Sequence, residues 1–66
     1  MIVLLKKDFS GEHSLVITEG MKMLQGMAVA IKRIYKNGKS NVSFTAVEDP
    51  IGYYYPEELI ERIVEW

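Results

Sequence analysis

The chain predicts a small all-β domain, and three observations carry that expectation. A strong two-residue hairpin signal stands at Lys36-Asn37-Gly38-Lys39, because Asn-Gly supplies the two positive φ values of a type I′ turn. The apolar residues come in short runs bounded by turn formers, Ile2-Val3-Leu4-Leu5 and Ser14-Leu15-Val16-Ile17 among them. At 66 residues the chain has room for one domain, spanning 1–66, with a thin core. Small scaffolds are often stapled by disulfides or a metal. With no cysteine, a disulfide framework and a Cys-based zinc site are both excluded. An apolar fraction of 48% with 26% charged residues fits a folded globular domain.

Each element follows from its own residues. Ile2–Leu5 reads as a strand, Asp8-Phe9-Ser10-Gly11-Glu12 as a turn-rich loop, and Ser14–Ile17 as a second extended piece. Thr18 is placed to cap a short helical turn through Met21 and Leu24, with Gly26 as its left-handed stop. Gly20 inside that turn weakens it. The Asn-Gly turn sets a register with Ile31 opposite Phe44, Val29 opposite Ala46 and Arg33 opposite Val42. The other face then pairs Ala30 with Thr45, Lys32 with Ser43 and Ile34 with Asn41. Asp49-Pro50-Ile51-Gly52 is a turn, and Tyr53-Tyr54-Tyr55 follows it. The last segment reads two ways. Periodicity favours a helix over residues 56–65, with Pro56 at a first helical position, while Arg62–Trp66 also alternates as a short closing strand.

Charge and targeting signals narrow the classes of function. The net charge is −1, so no global field drives the chain onto nucleic acid or anionic lipid. The first 47 residues carry seven Lys/Arg against three Asp/Glu, and the last 19 carry one Arg against six acids. The two halves are expected to neutralise each other within one fold, ahead of the alternative of a functional dipole that meets a partner. The apolar N-terminal run ends at Lys6, short of the ~7–15 residues of a secretory core and the ~20 of a membrane span. A cytoplasmic protein is expected, and the sequon at Asn41-Val42-Ser43 reads as chance.

Catalytic constellations are missing from the sequence, so no enzyme, cofactor or metal site is expected. A cysteine nucleophile is impossible and no Gly-x-Ser-x-Gly elbow occurs. His13 is the single histidine, in a surface loop without converging ligands. Glu57, Glu58 and Glu61 form a carboxylate group better explained as solvated acids in a first helical turn. The stretch from Gly20 to Gly26 lacks the Gly-Lys-Ser/Thr ending of a phosphate loop.

Two surfaces suggest binding. Lys32, Arg33, Lys36 and Lys39 surround Tyr35 on the hairpin, a mix that grips a phosphate backbone and stacks a base; the plainer reading is a hairpin tip kept soluble by cations. The second surface is aromatic. Tyr53 and Tyr55 share one strand face, with Tyr35 near and Trp66 at the margin. Tyr and Trp are enriched at protein interfaces, although rings in a small domain also simply fill its core. Of the methionines, Met23 is expected on the outer side, as an adaptable contact.

The basic start at Val3–Asp8, Val16-Ile17-Thr18-Glu19-Gly20-Met21, Gly26 ahead of Val29–Ile31, and Tyr53–Glu61 come in a familiar order. Together they resemble the small SH3-like barrel proteins of phages and prophages of Gram-positive bacteria, over about Val3 to Val64. The resemblance implies a five-stranded SH3-like barrel with short helical turns, one of them at Pro56–Leu59 leading into a final strand. It supplies little biochemistry, because one fold hosts many functions. The expected function is a non-catalytic module that binds another protein through Tyr35, Tyr53, Tyr55 and Trp66. The alternatives are a nucleic-acid-binding barrel using Lys32, Arg33, Lys36 and Lys39, and a homodimer that pairs its aromatic patch by two-fold symmetry.

Overall fold

The computed structural model describes residues 1–11, 16–36 and 44–66. Strand β1 (Ile2–Leu5) alternates inward and outward side chains, with Val3 and Leu5 buried. Helix α1 (Glu19–Lys22) begins at Thr18, whose Oγ1 accepts the Met21 N–H at 3.3 Å. Gly26 then turns the chain with φ +75°, the left-handed stop expected of it. Strand β2 (Ala28–Ala30) pairs antiparallel with β1, Val29 facing Val3.

The chain changes sheets at Ile31-Lys32. The Ile31 N–H still bonds to the Met1 carbonyl at 2.8 Å, while the next N–H, of Lys32, bonds to the Glu48 carbonyl at 2.8 Å. Strands β3 (Arg33–Lys36), β4 (Phe44–Glu48) and β5 (Tyr54–Pro56) form a second antiparallel sheet in that order. A 3₁₀ turn at Glu57–Leu59 follows β5, and strand β6 (Ile60–Glu65) returns to pair with β1. Two register shifts in that pairing pass over Val64 and Glu61, bulges that increase the twist of β6.

The expected five-stranded barrel is not what forms. Among the described residues, six strands make two three-stranded sheets, β2-β1-β6 and β3-β4-β5, that do not close into a barrel. The expected continuous hairpin arm through residues 29–36 divides at the sheet-changing corner. At the other end Pro56, which has no N–H to donate, and the 3₁₀ turn separate β5 from β6. Between the sheets lies one core of Val3, Leu5, Phe9, Met21, Val47, Tyr55 and Leu59.

Three further expectations are corrected. The β3–β4 register pairs Arg33 with Glu48, Ile34 with Val47 and Tyr35 with Ala46, not Ile31 with Phe44, Val29 with Ala46 or Arg33 with Val42. The winning register aligns Ile34, Val47 and Tyr55 as one inward row, and Val47 and Tyr55 have no solvent exposure. Burying one face across three strands specifies that register. The Asn37-Gly38 turn itself, the sequon at Asn41–Ser43, His13 and Lys39 lie outside the described residues. Val16 and Ile17 are not in a strand, and Val16 is highly exposed. The helix read from periodicity over residues 56–65 is a 3₁₀ turn followed by a strand, the ending that the resemblance implied. In that strand Ile60 and Ile63 face the core while Glu61 and Arg62 stay exposed.

Candidate binding face

The site is built on the turn that precedes β5. Asp49 is 1% exposed, yet its carboxylate is fully engaged. Its Oδ1 accepts the N–H groups of Ile51, Gly52 and Tyr53 at 3.0, 2.9 and 3.0 Å. Its Oδ2 accepts the Tyr55 hydroxyl at 2.6 Å. Asp followed by Pro and Gly favours this Asx-type turn, because the short carboxylate reaches backbone N–H groups two to four residues on. Burial, and then the Asp49 carboxylate that accepts its hydrogen, push the Tyr55 hydroxyl pKa up.

Fixing Tyr55 inward sends Tyr54 outward, since neighbouring strand residues point to opposite faces. Tyr54 is 43% exposed. It sits in a row with Glu48 and Arg33, and the next row on the same side of the sheet holds Tyr35, Ala46 and Pro56, of which Pro56 is fully buried. The small side chain of Ala46 leaves room for the two rings to meet diagonally. The Tyr35 and Tyr54 centroids are 5.6 Å apart with their planes tilted by 46°, within the favourable range for aromatic pairs. The Tyr35 hydroxyl donates to Glu48 Oε1 at 3.0 Å. Contact with the Tyr54 hydroxyl, ahead of desolvation, raises the Tyr35 pKa. The Arg33 guanidinium is held protonated by its hydrogen bond to Tyr35 and by Glu48 nearby.

Beside Tyr54 opens an apolar slot of about 260 Å³ lined by Val16, Thr18, Met21, Gly52, Tyr53 and Tyr54. That is below the roughly 300–1,000 Å³ of small-molecule sites and suits one bulky side chain. A larger recess of about 630 Å³ sets Lys6, Lys7 and Arg62 against Asp8 and Glu61. Its two acids offset two of its three cations. The buried charged side chains among the described residues, Glu48 and Asp49, lie elsewhere.

Of the residues expected to form a protein-binding patch, Tyr55 is core and does not reach the surface. Tyr53 is half-buried, with its hydroxyl against Gly20. Tyr35 is half-buried in the ring pair. Trp66 is 78% exposed but follows β6, in the other sheet. Of the cations, Lys32, Arg33 and Lys36 are all exposed along β3 and its approach. Met23 is exposed, as expected, and Met21 is buried. Sequence reasoning missed Tyr54. The alternation of Tyr53-Tyr54-Tyr55 offered two faces, and only the demand of buried Asp49 for the Tyr55 hydroxyl chooses between them. Glu57, Glu58 and Glu61 are exposed, and no group of three metal-ligating side chains occurs among the described residues.

No family model, curated protein or solved structure matches this chain. Among the described residues, no helix is long and apolar enough to cross a membrane.

Proposed function

We propose that the protein is a non-catalytic binding module that docks another protein through the Tyr35–Tyr54 face and the slot beside it. The observation that carries the proposal is the ring pair of exposed Tyr54 and half-buried Tyr35, tethered at Tyr35 by Glu48. A pre-set pair of tyrosines offers large contact area at low entropic cost, which is why such rings anchor interfaces. A cytoplasmic site of action is part of the proposal and is supported by the cysteine-free composition. A phage or prophage setting rests on the resemblance alone. Affinity capture with the wild type, Tyr54→Ala and the control Met23→Ala, after nuclease treatment, tests the proposal. A partner retained by the wild type and the control but lost with Tyr54→Ala supports it. Equal retention by Tyr54→Ala removes it.

One observation favours a second reading, nucleic-acid binding. Lys32, Arg33 and Lys36 are exposed on the strand that carries Tyr35 and its approach, near exposed Tyr54, a combination of cations and aromatic rings that single-strand binders use. Binding of this kind weakens steeply with salt, and charge reversal at Lys32 and Lys36 reduces it further. Salt-insensitive binding rules it out.

A further inference from the structure

Among the described residues, β2 and β6 form the edges of one sheet, β3 and β5 those of the other. An edge strand presents unpaired backbone groups, and proteins blunt it with charge, proline or a bulge. Strand β6 carries Glu61, Arg62 and Glu65 and has two register shifts. Strand β3 carries Arg33 and Lys36 and has one shift, while β5 ends at Pro56. Strand β2 has none of these devices. Residues 27–31 read Met-Ala-Val-Ala-Ile, without charge or proline, and the pairing of β2 with β1 is regular.

The hydrogen bonds fix which groups of β2 are free. The Leu5 N–H donates to the Met27 carbonyl at 2.9 Å, and the Ile31 N–H to the Met1 carbonyl at 2.8 Å. Bonded and non-bonded pairs alternate along an antiparallel ladder. Val29 therefore also bonds to β1, and the N–H and C=O groups of Ala28 and Ala30 point away from it. Both alanines are exposed. Strand β4 lies on that side only further on, where the Lys32 N–H meets the Glu48 carbonyl. It ends at Glu48, and the turn at residues 49–52 leads to β5 on the far side of β4.

We infer that β2 pairs antiparallel with β2 of a second copy of this chain, about a two-fold axis at Val29. Val29 then faces Val29, and Ala28 of each copy faces Ala30 of the other. Each Ala28–Ala30 pair exchanges both of its N–H···O bonds, since these groups are the outward ones. Centring on either alanine would set the other against Gly26 or Lys32, whose N–H groups are already bonded to the Lys6 and Glu48 carbonyls. Only the Val29 register uses both alanines of both copies. No charge meets a like charge across residues 27–31, so the edge is complementary to itself. So short an edge buries well under the roughly 1,200 Å² of a stable complex, and the dimer is weak, with a Kd above about 10 µM. The ring pair belongs to the other sheet, so this inference stands apart from the binding-face proposal.

Sedimentation velocity on the full chain between about 10 µM and 1 mM tests it, with two double variants at the paired positions. Ala28→Lys with Ala30→Lys sets lysine against lysine in both pairs, and is expected to weaken the dimer at least about tenfold. Ala28→Lys with Ala30→Glu sets lysine against glutamate in both pairs, and is expected to match or exceed wild-type affinity. Thermal midpoints in dilute solution confirm that the variants fold. Amide exchange of the wild type is an independent readout: the Ala28 and Ala30 N–H groups slow as concentration rises, while that of Val29 is protected throughout.

A wild type that stays monomeric to about 1 mM overturns the inference. So does a dimer that the two lysines leave intact, because its interface then lies elsewhere. Equal weakening by both double variants overturns the pairing about Val29. Growth past two copies overturns the closed two-fold contact. If a variant fails to fold, amide exchange decides: Ala28 and Ala30 rates that ignore concentration overturn the pairing.

Discussion

The Tyr55 hydroxyl donates to Asp49 Oδ2 at 2.6 Å, and both side chains are sealed from solvent, at 0% and 1% exposure. The other oxygen of the same carboxylate gathers three backbone N–H groups of the turn. One buried acid thus fixes a turn, a core ring and, through strand alternation, the outward direction of Tyr54.

Replacing that acid tests the arrangement directly. Asp49→Ala leaves the Ile51 and Tyr53 N–H groups and the Tyr55 hydroxyl without their acceptor, while the Gly52 N–H keeps the Asp49 carbonyl, and each unmade bond costs about 1–3 kcal/mol when buried. Total stabilities are only about 5–15 kcal/mol, and a domain this small sits near the bottom. Asp49→Ala is therefore expected to unfold the protein. Asp49→Asn keeps the oxygen that serves the backbone and places an amide against the Tyr55 hydroxyl. It is expected to fold with a loss of about 1–2 kcal/mol. Chemical denaturation followed by circular dichroism separates the two outcomes; equal stability of Asp49→Ala and wild type contradicts the clasp.

The same pair sets a response to alkali. Tyr55 has a folded-state pKa above its ordinary value of 10.0, so folding favours the protonated hydroxyl. Its contribution is complete below about pH 10 and is lost as pH rises toward the folded-state pKa. Tyr55→Phe removes that contribution, at a cost near 1–3 kcal/mol at neutral pH for the unfilled Asp49 oxygen. The variant should therefore lose stability less steeply above about pH 10. Because Tyr35 is present in both proteins, the difference isolates Tyr55. Parallel alkaline melting curves for the two proteins contradict the assignment.

Gly20 gives a third test, with a sign opposite to helix propensity. Ala in place of Gly normally stabilises a helix by about 1 kcal/mol. Here a Cβ on Gly20 would collide with the Tyr53 hydroxyl and the ring carbon that bears it. Gly20→Ala is expected to destabilise by about 1–3 kcal/mol, as overpacked sites do. Removing the hydroxyl relieves part of that strain, so the loss from Gly20→Ala should shrink in a Tyr53→Phe background. A stabilised single variant contradicts the contact.

The tyrosines separate core from surface. Tyr55→Ala removes a fully buried ring and is expected to cost about 3–5 kcal/mol, enough to unfold the domain. Tyr54→Ala removes a ring at the surface and is expected to cost about 1 kcal/mol or less while abolishing partner binding. Thermal melts of the two variants decide this without knowledge of the partner. If Tyr54→Ala unfolds the protein, Tyr54 is structural and the proposed face loses its centre.

Features held within a few residues were legible in the chain. Thr18 as a cap, Gly26 as a left-handed stop and Asp49–Gly52 as a turn all occur as read, because each is decided by local backbone angles and one nearby side chain. The exposed cations of β3 were legible too, since charged side chains rarely enter a core. The candidate site was only half legible: Tyr35 was named and Tyr54 was not.

Tertiary structure decided the rest. The β3–β4 register, the division of the strand at Ile31-Lys32, the separation of two sheets in place of one barrel, and the inward choice of Tyr55 all join residues distant in sequence. Each is settled by which arrangement buries Val47, Tyr55 and Leu59 together while giving Asp49 its donors. A period-2 pattern states that one face is buried but not which face or against what. That choice depends on the free energy of the whole core, and so the outward Tyr54 emerges only once the core has closed.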